Sequence, residues 1–127
     1  MTGNKILVVE DNPKNLKLVR DVLEHSGFEV VEATSGEDGV RLAEETSPDL
    51  ILMDLQLPGI DGAEALRQIR SRDVRHHVRV VAVTAFAMRD DRDRALASGF
   101  DGYVEKPISV RALPQQVRDF LELGGPL

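Results

Sequence analysis

The chain predicts an α/β fold, (βα)5, in which five parallel strands alternate with helices that cover both faces of the sheet. Three observations lead there. Ile6-Leu7-Val8-Val9, Leu50-Ile51-Leu52-Met53 and Val80-Val81-Ala82-Val83 are continuous apolar runs, as strands buried on both faces require. Between them, apolar residues recur at helical spacing. Each run also ends abruptly in polar residues, at Glu10-Asp11, at Asp54 and at Thr84. Alternation of this kind implies a doubly wound sheet, and the flavodoxin-like strand order 2-1-3-4-5 places its switch point between strands one and three.

Each element has a local reason. After the first strand, Asn12-Pro13 supplies an N-cap and a proline for the first helical position. The helix presents Leu16, Val19, Val22 and Leu23 to the core and stops at Gly27. Glu29-Val30-Val31-Glu32-Ala33 is rich in β-formers but framed by charge, which suits a half-covered edge strand. Ser35, with Asp38 three residues on, opens a helix through Val40, Leu42 and Ala43 that must end before Pro48.

Leu50 to Asp54 is the central strand, and Pro58-Gly59 then reverses the chain. Asp61 caps the following helix, with Glu64 completing a variant capping box and Ala65, Leu66 and Ile69 facing inward. The basic run Arg67, Arg70, Arg72, Arg75, His76, His77 and Arg79 reads as cations complementing a helix C-terminus and a solvated loop. Docking of a partner and metal binding by the histidines are the weaker readings. A polar helix is expected from Asp90-Asp91 to Ser98-Gly99, and Gly102 to Glu105 is the last short strand. The final helix carries Val110, Leu113, Val117, Phe120 and Leu121 on one face, with Pro114 forcing an irregular first turn.

Composition narrows the function. The chain has 127 residues and 42% hydrophobic content, enough for one domain with a real core. Its net charge of −6 argues against a nucleic-acid or anionic-membrane surface. With no cysteine, disulfides, thiolate metal sites and cysteine catalysis are excluded. No signal peptide or membrane-length apolar segment is legible, so a cytoplasmic protein is the expectation.

The chemistry comes from the acids. In the expected strand order, Glu10, Asp11 and Asp54 converge in one crevice. Two carboxylates about 5 Å apart repel by roughly 3 kcal/mol at an effective dielectric of 20, so a cation is needed among them. Oxygen-only ligands select a hard divalent ion, Mg2+ first and Mn2+ as the alternative. Mg2+ keeps waters and is usually completed by phosphate oxygens, which points to a phosphoryl substrate. Thr84 and Lys106 add a hydroxyl and an ammonium at neighbouring strand ends. Asp54, ending the central strand, is the best candidate for a carboxylate that accepts a phosphoryl group.

The set Glu10-Asp11, Asp54, Thr84 and Lys106-Pro107, each at a strand end, resembles the receiver domain of two-component response regulators, of the CheY-like superfamily. It covers about residues 5–123 as a single domain within 1–127, with no output domain. Val8-Val9-Glu10-Asp11-Asn12 and Val83-Thr84-Ala85-Phe86-Ala87-Met88 are most similar to stand-alone receivers of the DivK cell-cycle type and to receivers of hybrid histidine kinases. The resemblance implies that Asp54 is the phosphoacceptor and that Glu10, Asp11, Asp54 and the Gln56 backbone carbonyl hold Mg2+. It implies Thr84, Lys106 and Tyr103 as phosphate-binding and switch residues, and a cis bond before Pro107. It also implies a signalling protein rather than an enzyme, with a sensor histidine kinase or histidine phosphotransfer protein upstream and a protein target downstream.

Other classes fit less well. A haloacid-dehalogenase-type hydrolase would need a second acid where Gln56 stands, and a flavodoxin would not line its phosphate loop with Glu10-Asp11. A receiver-like module that binds partners without phosphorylation is the remaining alternative. Ala85-Phe86-Ala87-Met88 has two readings, core filling or a partner surface at Phe86 and Met88.

Overall fold

A computed structural model describes residues 4–72, 78–85, 93 and 96–122. Its strands are β1 (Lys5–Val9), β2 (Glu29–Ala33), β3 (Leu50–Asp54), β4 (Arg79–Thr84) and β5 (Gly102–Glu105). They form one parallel sheet in the order β2-β1-β3-β4-β5. The helices bounded within the described residues are α1 (Pro13–His25), α2 (Gly36–Thr46), α3 (Gly62–Arg72) and α4 (Leu113–Glu122). Of the polar helix expected from Asp90 to Gly99, Asp93, Leu96, Ala97, Ser98 and Gly99 are described, the first three helical and Ser98-Gly99 a turn. Its start at Asp90-Asp91 lies outside the described residues, as do Arg75, His76, His77, Phe86 and Met88.

Successive strand residues point to opposite faces, and each face has its own core. Ile6, Val8, Leu50, Leu52, Val81, Val83 and Val104 pack with Leu16, Val19 and Leu23 of α1 and with Leu113 and Val117 of α4. Leu7, Val9, Ile51, Met53, Val80 and Ala82 pack with Val40 of α2 and with Ala65, Leu66 and Ile69 of α3. Burying each such side chain is worth about 1.5–3 kcal/mol. A run of apolar residues without alternation is therefore what a sheet covered on both sides demands. The edge strand β2 is mostly half-buried, with only Ala33 fully covered.

The caps form as the sequence implies. Asn12 Oδ1 accepts from the backbone N–H groups of Lys14 and Asn15, Ser35 Oγ from Asp38, and Asp61 Oδ1 from Glu64. The capping box at α3 is only half made, because the Glu64 carboxylate turns forward to Arg67 and Gln68. Val110 does not join the core face of the final helix. It lies in the turn ahead of α4 and is 51% exposed. That turn is held by Ser109, whose Oγ accepts from Ala112 N–H and whose carbonyl accepts from Leu113 N–H. Pro114 thus falls in the first helical turn, where its missing donor costs nothing.

Three of the basic residues on α3 are used within the domain. Arg67 pairs with Glu64, Arg72 with Glu44, and Arg70 with Asp101 at 2.8 Å. Arg70 also donates to the carbonyls of Val78 and Gly99, while Asp101 accepts from Val80 N–H. This joint fixes α3 to the amino ends of β4 and β5.

Hydrogen bonds from Arg67 and Gln68 hold the Glu64 carboxyl at about 2, well below the usual 4.5. A depressed carboxylate pKa contributes stability above the unfolded value, and that contribution is lost as pH falls from 4.5 toward 2. An NMR pH titration should find Glu64 ionised throughout pH 3–7, and Arg67→Ala should move its midpoint back toward 4.5. The side chain is partly exposed to solvent, so global stability should change little.

Candidate functional site

The carboxyl edge of the sheet gathers polar groups that the strand interiors exclude. Glu10 is the first residue past β1, and its backbone N–H still pairs with Ala33 C=O across to β2. That pairing continues past the strand end, and the residue is only 4% exposed. Asp54 is the last residue of β3 and equally covered, while Asp11 is exposed beside them. Carboxylate oxygens of Glu10, Asp11 and Asp54 all lie within 4.8 Å of one another.

Lys106 reaches this cluster from the loop after β5. Its Nζ lies 2.9 Å from Asp54 Oδ2 and 3.0 Å from Glu10 Oε1. Its backbone N–H donates to Thr84 C=O, and the Lys106–Pro107 peptide is cis. The other oxygens are also engaged. Asp54 Oδ1 accepts from Gln56 N–H at 2.9 Å, and Glu10 Oε2 from Asn12 N–H at 3.1 Å.

Among the described residues one ammonium faces three carboxylates, which leaves two negative charges. Burial, and then the hydrogen bond to Asp54, push the Glu10 carboxyl above its ordinary range, against the pull of Lys106 and Asn12. Burial alone would lower the Lys106 ammonium, but its bonds to Asp54 and Glu10 outweigh that and hold it above the ordinary lysine value. Both groups respond to the same surplus of negative charge.

The residues fit a divalent cation. Their donors are hard oxygens, the ligand atoms are close enough to share one ion, and the uncompensated charge equals that of a dication. Among the described residues no other group of three acidic or histidine side chains has this spacing.

Of the residues singled out in the sequence, Glu10, Asp11, Asp54 and Lys106 come together, with Gln56 attached through its N–H. Thr84 ends β4 beside them, 2% exposed. Tyr103 stands apart on β5, half-buried, its hydroxyl donating to Glu105 Oε1 at 2.7 Å. Sequence reasoning missed a groove of about 480 Å3 lined by Asn15, Leu18, Ala85, Lys106, Pro107 and Ile108. Its signal was present: Leu18 falls between the core positions of α1, and it is 40% exposed.

Fold and site together define a response regulator receiver, and the comparisons with known proteins agree. The family model for the response regulator receiver domain matches residues 6–118, and the chain belongs to that family. It is similar to the polar-differentiation response regulator DivK of Brucella anthropi, with 42% identity over 116 residues, covering 91% of this chain and 94% of that protein. DivK of Brucella abortus (strain 2308) matches with the same identity and coverage.

Among solved structures, the receiver domain of sensor histidine kinase PA1611 from Pseudomonas aeruginosa PAO1 is 36% identical, with a TM-score of 0.85. The match covers 94% of this chain and 98% of that one, which has a magnesium ion coordinated in its active site cleft. The BeF3-activated N-terminal receiver domain of Klebsiella pneumoniae RstA is 28% identical with a TM-score of 0.85, covering 94% of this chain and 99% of that one. The chain is therefore a response regulator of two-component signalling, a signalling protein built on a receiver with an acidic cluster. Receiver domains interact with histidine kinases and with downstream targets. No helix of the described residues is long and apolar enough to cross a membrane.

Removing the Lys106 ammonium should expose the charge imbalance directly. Lys106→Met should destabilise the metal-free protein by about 1–3 kcal/mol, the cost of leaving covered carboxylates without a partner. Urea unfolding should show Mg2+ restoring more stability to the variant than to the wild type. Equal increments would mean that the ammonium and the metal do not answer the same charge.

Proposed function

We propose that Asp54 accepts a phosphoryl group from the phosphohistidine of a sensor histidine kinase or a histidine phosphotransfer protein. One carboxylate oxygen forms the new O–P bond as the donor's P–N bond breaks and its electron pair returns to the imidazole nitrogen. The observation that carries this reading is the convergence of three carboxylates within 4.8 Å, with Lys106 Nζ bridging two of them. In it, Glu10, Asp11, Asp54 and the Gln56 backbone carbonyl hold Mg2+ (Mn2+ substituting), which supplies positive charge against the repulsion between two anions.

The remaining groups take the charge that follows. A phosphoryl group brings roughly one further negative charge to the site. Gln56 N–H orients Asp54, and Lys106, already within 2.9 Å of the acceptor, pairs with the phosphoryl oxygens. The Thr84 hydroxyl supplies a further donor, worth about 1.5–3 kcal/mol to a charged oxygen. As Thr84 closes on the phosphate, Tyr103 leaves Glu105 and turns toward the space vacated, and this changes the surface offered to the target. The chain works as a single receiver domain in the cytoplasm, promoting only its own phosphorylation and dephosphorylation. Phe86 and Met88 are candidates for the target surface.

The test is labelling with acetyl phosphate and Mg2+. Phosphate should enter the wild type in hydroxylamine-labile form and be absent from Asp54→Asn. Full labelling of that variant would overturn the assignment, and no labelling of the wild type would favour a phosphorylation-independent module.

The groove beside Lys106 is the approach for the phosphodonor protein, since it is lined by the lysine that bonds Asp54 and offers the exposed Leu18 as an apolar anchor. Leu18→Arg should slow transfer from a phosphohistidine protein about tenfold or more, the cost of an anchor worth at least ~1.4 kcal/mol. Transfer from acetyl phosphate, which needs no docking, should be unchanged. An equal loss with both donors would reject the groove.

A further inference from the structure

Residues 55–61 lead from Asp54 to α3, and they carry Gln56 at one end and Asp61 at the other. The base of this loop is closed by glycine. A Cβ on Gly62 would lie 2.8 Å from Asp54 C=O, and Gly62 N–H faces Leu55 C=O at 3.4 Å. The tip is held by a different element. Glu37, in the first turn of α2, accepts from Ile60 N–H through Oε2 at 3.2 Å.

Two glycines let the tip and the helix come this close. Gly59 has φ +74°, a left-handed conformation natural to glycine. A Cβ there would stand 2.6 Å from Glu37 Oε2 and 2.9 Å from Oε1. On the other side, a Cβ on Gly36 would stand 2.6 Å from Ile60 Cγ1 and 2.8 Å from Ile60 C=O. The first turn of α2 and the loop tip thus interlock, with the Glu37 carboxylate between them. Ser35, not Glu37, caps the helix N-terminus, so the Glu37 carboxylate is committed to the loop.

We propose that Glu37 is a positioning residue for the phosphoacceptor. By clasping Ile60, it holds the loop at a height that keeps Gln56 N–H on Asp54 Oδ1. The residue touches neither Asp54 nor a phosphoryl group and acts through the backbone between them. The inference rests on the reading of Asp54 as acceptor, but its first readout does not.

Hydrogen exchange in the metal-free, unphosphorylated protein reads the clasp itself. Glu37→Ala should speed exchange at Ile60 and Gln56 about tenfold, equivalent to about 1.4 kcal/mol of easier local opening, at an unchanged urea midpoint. Its labelling by acetyl phosphate should slow several-fold. Glu37→Gln keeps an acceptor oxygen at the same reach and should restore most of both. Faster exchange at Ile60 alone, with Gln56 and labelling at wild-type values, would reduce Glu37 to a loop cap and overturn the proposal. A Glu37→Gln variant as impaired as Glu37→Ala would overturn the hydrogen bond as the cause. Failure of the parent reading is distinguishable, because it appears as labelling of Asp54→Asn while the exchange results stand.

Discussion

Lys106 holds together a site that its own charges would push apart. Glu10 and Asp54 are each about 95% covered, and carboxylates at that depth lose hydration that must be replaced. The replacement is partial. Among the described residues, an ammonium shared at 2.9 and 3.0 Å and two backbone N–H groups satisfy individual oxygens but leave the cluster short of positive charge. A site satisfied in its hydrogen bonds and unsatisfied in its charge is poised to take a dication. The same surplus disfavours the approach of any anion until that charge is met.

The sheet makes such a cluster affordable. Apolar faces packed by α1 and α4 on one side and by α2 and α3 on the other fix the strand ends, and the polar edge inherits that rigidity. Strand order then decides the neighbours. Because β3 pairs with β1 and β4, the residues at the carboxyl ends of three adjacent strands open onto one crevice. The loops beside the strand ends are tied down as well: residues 55–61 at the base by Gly62 and at the tip by Glu37, and the segment after β5 by the bond of Lys106 N–H to Thr84 C=O.

The chain belongs to the receiver family, and the similarity to DivK and to the PA1611 receiver spans nearly the whole chain. Other features lie around the acidic centre. The exposed Leu18 on the groove, the Tyr103–Glu105 hydrogen bond and the Glu37 clasp involve side chains that surround the acids without joining them.

The sequence by itself determined the elements and their kind. Unbroken apolar runs can only be covered on two faces, and Asn12, Ser35 and Asp61 cap helices through bonds to residues two or three positions away. The acids at strand ends were legible for the same reason, since they interrupt those runs. Tertiary structure alone decided that the Lys106 ammonium sits between Glu10 and Asp54, a pairing 52 residues apart to the latter, and that Glu37 reaches Ile60 across 23. It also put Val110 outside the core, where the irregular turn before Pro114 ends the helical periodicity that had placed it inside. Periodicity and capping are forces between chain neighbours. Which charges share a crevice depends on strand order and on the path of each loop, and these are set only when the whole sheet has closed.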